Sequence, residues 1–190
     1  MRRAVVILAL AIAGALGLGL VTLVALLGTG TLEAYAISSS AMEPTLHCAR
    51  PAAECEADRK DRVIALTRFF SYDRGDLVVF HPPPRAEAVC GVAGTYVKRV
   101  IGLPGETIEI RLIEGAAHLY VDGEELEEPY VERRDDGPEE RFSVPDGHAF
   151  VLGDNRAQSC DSRVFGPVHE DDVIGTLVAT YWPPDRISFR

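Results

Sequence analysis

Three short segments carry residues whose types could do chemistry: 37–46 (ISSSAMEPTL), 96–106 (YVKRVIGLPGE) and 153–166 (GDNRAQSCDSRVFG). They offer serine hydroxyls, a lysine within an apolar stretch, and an acid–arginine pair. Peptide cleavage by acyl transfer needs a nucleophile, a base that takes its proton, and donors for the developing oxyanion. The chain has no Gly-x-Ser-x-Gly motif and no histidine in a triad pattern. The remaining chemistry is a serine activated by a neutral lysine.

Lys98 is the candidate base. The chain has 19 basic residues, of which only Lys60 and Lys98 are lysines, and arginine cannot act as a base in a protein. Free lysine titrates near pH 10.4, so the amine must be buried against apolar surface to lose its proton near neutrality. Lys98 follows Val97 in an apolar strand-like stretch, which fits this requirement. From the residues alone, a strand lysine that extends into solvent would be favoured; the family resemblance given below reverses this.

In this order, the three segments closely resemble those of the type I signal peptidases. The resemblance covers nearly the whole chain, including 181–184 (YWPP). The small size and the four cysteines are most similar to the versions from GC-rich Gram-positive bacteria. The resemblance implies a Ser/Lys-dyad serine peptidase that cleaves signal peptides from secreted preproteins at the cell membrane. It implies no metal and no other cofactor.

The nucleophile position departs from the family pattern. In the family the nucleophile is the serine immediately before the methionine of Met-x-Pro-Thr-Leu, and residue 41, before Met42, is alanine. Ser40 is not expected to replace it, because neighbouring side chains of an extended segment point to opposite faces. We therefore expect an inactive protein. An engineered serine-to-alanine form is the favoured interpretation, and a natural signal-peptide-binding pseudoenzyme is the alternative.

The resemblance also assigns supporting roles. Ser39 is expected to donate a hydrogen bond to the oxyanion, and Ser159 to orient the Lys98 amine. Asp161 and Arg163 are expected to form a bracing pair, because an i, i+2 spacing on a strand places both on one face. Asp154 is expected to build the adjoining turn. The positions that match the substrate pocket, which would admit only small side chains, are Ile37, Met42, Leu46, Tyr96 and Val97.

An apolar N-terminal segment is expected to anchor these residues to a membrane. Residues 4–27 carry no charge and are long enough to span a bilayer. Arg2 and Arg3 precede this run, which predicts a cytoplasmic N-terminus and an extracytoplasmic remainder. A cleaved secretory signal is the alternative. The predicted division is residues 1–28, the anchor, and residues 29–190, the peptidase domain.

The remainder is expected to be mainly β, with antiparallel sheets in one signal-peptidase-like domain. Strand patterns occur at 62–67, 76–81, 94–101, 107–112, 118–121, 148–152, 173–179 and 187–189. Asp122-Gly123 predicts a hairpin turn. The charge-dense stretch 130–141 (YVERRDDGPEER) is interpreted as a solvated loop without a functional role.

The four cysteines all follow the apolar segment, and an even count outside the cytoplasm predicts two disulfides. Three pairings are possible. Cys48 and Cys55, which enclose a short stretch, are the favoured local pair, and by elimination Cys90 would then meet Cys160. Four buried thiols are the alternative. A zinc site is disfavoured because no Cys-x-x-Cys spacing exists and the histidines are scattered.

The net charge of −10 and the pI near 4.9 argue against nucleic acid as a partner, since binding to phosphates requires clustered basic charge. The partners implied by the resemblance are the signal peptides of preproteins and the lipid bilayer.

Overall fold

The computed structural model describes residues 29–91, 94–132 and 134–190. The predicted anchor, residues 4–27, lies outside these ranges. In the described part of the chain, none of the helices has the length and apolar character needed to cross a membrane.

Short strands dominate the described residues. The strands are β1 (Leu32–Ala36), β2 (Arg62–Leu66), β3 (Leu77–Phe80), β4 (Tyr96–Gly102), β5 (Thr107–Ile113), β6 (Ala116–Val121), β7 (Glu124–Glu125), β8 (Glu140–Ser143), β9 (His148–Leu152), β10 (Val168–His169), β11 (Val173–Trp182) and β12 (Ser188–Phe189). Two short α-helices accompany them, α1 (Pro84–Cys90) and α2 (Ser162–Phe165). The prediction of a mainly β fold is confirmed.

Within the described ranges the strands form two antiparallel sheets. The large sheet has the order β1-β2-β11-β3-β4-β9-β10, with β12 paired to β11. The small sheet has the order β7-β6-β5-β8, and it is formed by the chain between β4 and β9. The Asp122-Gly123 turn joins β6 to β7, as predicted. Because β4 and β9 are neighbours, the chain enters and leaves the small sheet beside the strand that carries Lys98.

Three apolar clusters form the core. One lies around Leu46, Val63 and Leu77, a second around Phe80, Val100 and Phe165, and a third joins the two sheets around Ile108 of β5 and Phe150 of β9. Strand β3 is buried along its whole length, since it runs between β11 and β4 in the interior of the large sheet. This explains why its sequence is a continuous apolar run rather than an alternating one.

Two disulfides tie loops to this core: Cys48–Cys55, and Cys90–Cys160, which joins the end of α1 to the 153–166 segment. This is the pairing favoured from the sequence. Among the described residues no cysteine is free.

Candidate active site

Ala41 lies in a 3₁₀ turn, Ser40–Met42, that follows β1. The expectation of an extended backbone here was wrong, and so was the geometric reason for excluding Ser40. In a 3₁₀ turn successive side chains are about 120° apart rather than opposite. Ala41 is nonetheless the residue of this pair that lines the cleft described below, together with Ser39. The Ser40 carbonyl accepts hydrogen bonds from Glu43 N (3.0 Å) and Asn155 Nδ2 (3.1 Å).

Lys98 is a buried lysine in β4, with only 4% of its surface exposed. Its strand lies between β3 and β9, and Val78 is its partner on β3. The amine lies 5.6 Å from the centre of the Tyr96 ring. Burial removes the water that stabilises an ammonium ion, and this lowers the pKa of Lys98 from 10.5 to about 8. The carboxylates of Asp161 and Asp154 counteract the effect of burial, whereas Arg163 reinforces it.

This pKa changes how much free base is available. At pH 7 a lysine with a pKa of about 8 is neutral about one tenth of the time, against about one part in three thousand for an ordinary lysine. A peptide that covers the cleft would exclude more water and favour the neutral amine further. Lys98 therefore has the protonation behaviour that a general base requires near neutral pH.

The 153–166 segment docks against the Ala41 turn through a close backbone approach at Gly153. A Cβ atom at residue 153 would lie 2.5 Å from the Ala41 carbonyl oxygen and 2.2 Å from Ser159 Oγ, so no larger residue fits without displacement. The Ala41 carbonyl also accepts a hydrogen bond from Asn155 N at 3.2 Å. Gly153 and Asn155 were not predicted as site residues, although both belong to the polar turn at 153–166.

Ser159 is next to this contact, and its hydroxyl is buried. Among the described residues it is a buried side-chain oxygen with no hydrogen-bond partner. The structure therefore shows no hydrogen bond from Ser159 to Lys98, and the orienting role implied by the family resemblance remains a prediction. A buried hydroxyl without a hydrogen-bond partner costs stability. A hydrogen bond from this hydroxyl to a ligand, a water molecule or Lys98 would therefore stabilise the site.

Asp161 and Arg163 form the expected ion pair, but not on a strand. Asp161 caps the N-terminus of α2, and its side chain accepts from the backbone N of Arg163. The guanidinium makes two further bonds of 2.9 Å to the same carboxylate. Asp161 is fully buried and also accepts from Gly153 N at 3.1 Å. The pair thus fixes both ends of the segment that faces Lys98.

A second buried acid braces the opposite side of β4. Asp154, 1% exposed, binds Arg99 through contacts of 2.9 and 2.6 Å and accepts the Thr45 hydroxyl at 2.5 Å. The ion pair joins β4 to the turn that Asp154 was predicted to build, and Thr45 brings in the end of the first motif. Arg99 was not predicted as a site residue. Its position directly after Lys98 could have indicated that it lies near the site.

These elements enclose a cleft of about 290 Å³. Strand β4 pairs with β9 only from Arg99 onward, so the stretch before it adjoins the cleft. The lining consists of Tyr35, Ala36, Ile37, Ser38, Ser39, Ala41, Met42, Cys90, Thr95, Tyr96, Val97, Lys98, Gln158 and Cys160. Ala41 and Lys98 therefore share one cavity with four of the five predicted pocket positions.

Leu46 is the exception among the predicted pocket residues. It is completely buried in the cluster with Val63 and Leu77 and does not line the cleft. The prediction for Leu46 was wrong because a motif position that keeps an apolar residue can serve the core as well as a pocket. Leu46 packs in the same core cluster as Met42 and thereby stabilises the Ser40–Met42 turn.

The stretch 130–141 is not merely a solvated loop. The Tyr130 ring lies 3.9 Å from the Arg99 guanidinium, and Asp135 forms an ion pair with Arg163. Residues from Glu140 onward belong to β8. Charge density alone could not distinguish carboxylates that face water from carboxylates that face a buried arginine.

Possible metal-ligand atoms lie close together in two groups that share Glu43, one with Cys48 and Cys55 and one with His47 and Glu56. The atoms of Glu43, His47 and Glu56 all lie within 4.8 Å of one another. Glu43 is 3% exposed, accepts backbone N–H groups of Cys48 (3.0 Å) and Glu56 (3.3 Å), and pairs with His47 Nδ1. We interpret it as a buried carboxylate that organises the loop closed by the first disulfide. That the chemistry needs no metal remains a prediction.

The chain is similar to several known proteins. The family described as signal peptidase, peptidase S26, matches residues 7–182. Signal peptidase I of Leptolyngbya laminosa is 34% identical over 180 residues, which are 91% of this chain and 76% of that protein. Signal peptidase I of Bacillus caldolyticus is 32% identical over 189 residues, 90% of each chain. A crystal structure of a signal peptidase I from Enterococcus faecalis V583, 32% identical, covers 57% of this chain and 98% of that chain with a TM-score of 0.44.

Proposed function

The chain belongs to the signal peptidase family, peptidase S26, and from this premise we propose that its cleft binds the signal peptides of secreted preproteins and is built for their cleavage by a Ser/Lys dyad. In this proposal Lys98 is the general base and residue 41 is the nucleophile position. Because residue 41 is alanine, the chain binds substrate but does not cleave it. Loss of the nucleophile lowers turnover by about a millionfold in serine peptidases.

The observation that carries the proposal is the buried Lys98 amine. It shares a cleft with Ala41, and its pKa is lowered to about 8 by burial. Burying a group that is charged for most of the time costs the folded protein stability, which is an unusual arrangement for a purely structural lysine. Perturbed groups in a cleft are typical of functional sites.

Strand addition is the proposed binding mode. An extended peptide would lie along β4 where its pairing with β9 ends, and alternate side chains would enter the cleft. Ile37, Met42 and Val97 line that cleft and limit its width, which supports a preference for small side chains near the cut. Ser39 lies on the cleft as the proposed oxyanion donor, alongside the backbone N–H of residue 41.

The membrane is the proposed setting. The uncharged run 4–27 supports a single anchor, with residues 29–190 as an extracytoplasmic peptidase domain and the N-terminus in the cytoplasm. An anchor would keep the cleft at the bilayer surface where a signal peptide emerges. The two disulfides fit an oxidising compartment.

Restoring the hydroxyl tests the enzyme. The full chain with Ala41→Ser, in detergent, is incubated with a model preprotein that has alanine three residues and one residue before the cut. We expect cleavage at that site, and none from the unmodified chain. The double variant Ala41→Ser/Lys98→Met is the control for the base and should be inactive.

The alternative function is a non-catalytic signal-peptide-binding protein, which Ala41 itself favours. A well-folded Ala41→Ser variant that binds the preprotein without cutting it would support this alternative. Cleavage that persists after Lys98→Met would contradict the assignment of Lys98 as the base. Ser40→Ala in the Ala41→Ser background should leave cleavage intact, since Ser40 does not line the cleft.

A further inference from the structure

Two carboxylates of the loop between β7 and β8 point toward the interior of the protein. Its described residues are 126–132 and 134–139. Glu128 is 5% exposed, and the side chain of Asp135 is 20% exposed. Nearby acids of the same loop, Glu127 and Asp136, are exposed to solvent. Two acids in a charge-dense loop are therefore turned inward, while their neighbours face water.

Each inward acid binds an arginine of the 153–166 segment. Glu128 forms a two-pronged ion pair with Arg156, with one contact at 3.1 Å, and Arg156 is itself only 5% exposed. Asp135 pairs with Arg163, which is also held by both oxygens of Asp161. The arginines are thus the links between the small sheet and the candidate active site.

Both arginines also bind residues of the candidate active site. Arg156 Nε donates to the Gly153 carbonyl at 2.9 Å, and Gly153 is the residue that lies against Ala41. Arg163 binds Asp161, whose carboxylate faces Lys98, and it also donates to the Arg156 carbonyl at 2.8 Å. Glu128 and Asp135 are not among the residues that line the cleft, and Arg156 and Arg163 join them to the site.

The loop is anchored to the small sheet by hydrogen bonds to β6. Ala117 N on β6 donates to the Asp135 carbonyl at 2.9 Å, and Arg134 donates to the Ala117 carbonyl at 3.1 Å. Leu126 N donates to the Leu119 carbonyl at 2.8 Å. The two acids therefore extend from a rigid hairpin, which a positioning device requires.

We propose that Glu128 and Asp135 are positioning residues of the candidate active site, which hold the 153–161 segment against Ala41 and Lys98 through Arg156 and Arg163. The inference rests on the proposed function, because it assigns a purpose to the geometry around Lys98. It makes the small sheet part of the active-site scaffold.

Asp135→Asn tests the link through Arg163. Lys98 faces the charges of Asp161, Asp154 and Arg163 and the ring of Tyr96. Without the Asp135 charge, the Arg163 guanidinium is balanced by Asp161 alone. The net electrostatic potential at Lys98 therefore becomes more positive. We expect the acid dissociation constant of the Lys98 ammonium to rise by about twofold or more. The matched control is Asp136→Asn, which removes the same charge from an exposed neighbour.

The measurement uses the full, unmodified chain in detergent with ¹³C-labelled lysine. Lys60 and Lys98 are the two lysines of the sequence, so two signals are followed against pH and assigned with Lys60→Arg. If Lys98 in the unmodified chain titrates like an exposed lysine, the proposed function fails. If Lys98 titrates at a lowered pH but Asp135→Asn changes nothing, or Asp136→Asn changes it equally, the inference alone fails.

A thermodynamic cycle shows whether Asp135 acts through Arg163. In an Arg163→Gln background, Asp135→Asn should shift the Lys98 titration by less than it does in the unmodified chain, because only the direct field of the Asp135 charge remains. An undiminished effect in that background would overturn the indirect route.

Glu128→Gln gives an independent measurement through Arg156. Amide exchange of Gly153 and Asn155 should accelerate by about tenfold or more, because the clamp on the Gly153 carbonyl is loosened. Glu127→Gln is the matched control and should leave this exchange unchanged. Equal protection in Glu128→Gln and in the unmodified chain would contradict the positioning role of Glu128. If Glu128→Gln does not fold, the Asp135 titration still decides the proposal.

Discussion

Replacing Lys98 by methionine examines the cost of the buried amine without any substrate. Methionine has a similar length and shape but carries no charge to desolvate. Lys98 is 4% exposed, and burial lowers its pKa from 10.5 to about 8. The lowered pKa means that the folded protein binds the Lys98 proton less tightly than the unfolded chain does.

The size of the effect follows from linkage between proton binding and folding. Below pH 8 the amine is protonated in both states, and the folded state bears the full cost of the buried charge. A difference from 10.5 to about 8 corresponds to about 3 kcal/mol. Between pH 8 and 10.5 the unfolded chain binds more protons, so the stability of the unmodified chain rises with pH. The cost has disappeared above this window.

We therefore expect Lys98→Met to be more stable than the unmodified chain by about 3 kcal/mol at pH 7, which raises Tm by roughly 6–12 °C. The advantage should shrink from pH 8 and vanish near pH 11. The assay is guanidinium and thermal unfolding at both pH values. Lys60→Met, at an exposed lysine, is the control and should change stability by less than about 0.5 kcal/mol. A Lys98→Met variant that is destabilised, or whose advantage is independent of pH, would refute the reasoning.

Two further predictions concern the segment that faces Lys98. Gly153→Ala places a methyl group 2.2 Å from Ser159 Oγ and 2.5 Å from the Ala41 carbonyl, so we expect loss of signal-peptide binding in a pull-down and a lower Tm. Unchanged binding would contradict the close approach. Replacing Cys90 and Cys160 by alanine opens a 70-residue link and should cost about 4 kcal/mol in a denaturant titration. Reducing agent should lower the free energy of unfolding of the unmodified chain by more than that of the variant, which already lacks the Cys90–Cys160 bond.

Much of the architecture was predictable from local patterns. The strands β2, β3, β5, β6 and β9 carry β-branched or apolar runs bounded by turn residues, and the structure places them within one or two residues of the predicted limits. The role of Lys98 was expected from the family resemblance, because an apolar strand pattern alone favours a lysine that extends into solvent. Its burial follows from the position of β4 between β3 and β9.

The remaining features depend on tertiary contacts that no local pattern specifies. The 3₁₀ turn at Ser40–Met42 is held by Asn155, which is more than a hundred positions away in the sequence. Asp161 was paired correctly with Arg163 but on a helix cap rather than a strand. Glu128 was overlooked because a buried and an exposed glutamate look alike until the partner arginine is located. Leu46 was misassigned because a pocket and a core both select apolar side chains.

The strand order of the large sheet has a consequence for folding. Strand β11, residues 173–182, lies between β2 and β3, so the sheet that carries Lys98 is incomplete until these residues have been synthesised. Such sequence-distant pairings slow folding, because a long loop must close before its contacts form. The residues of all three motifs have therefore left the ribosome's active centre before the sheet that positions Lys98 can close.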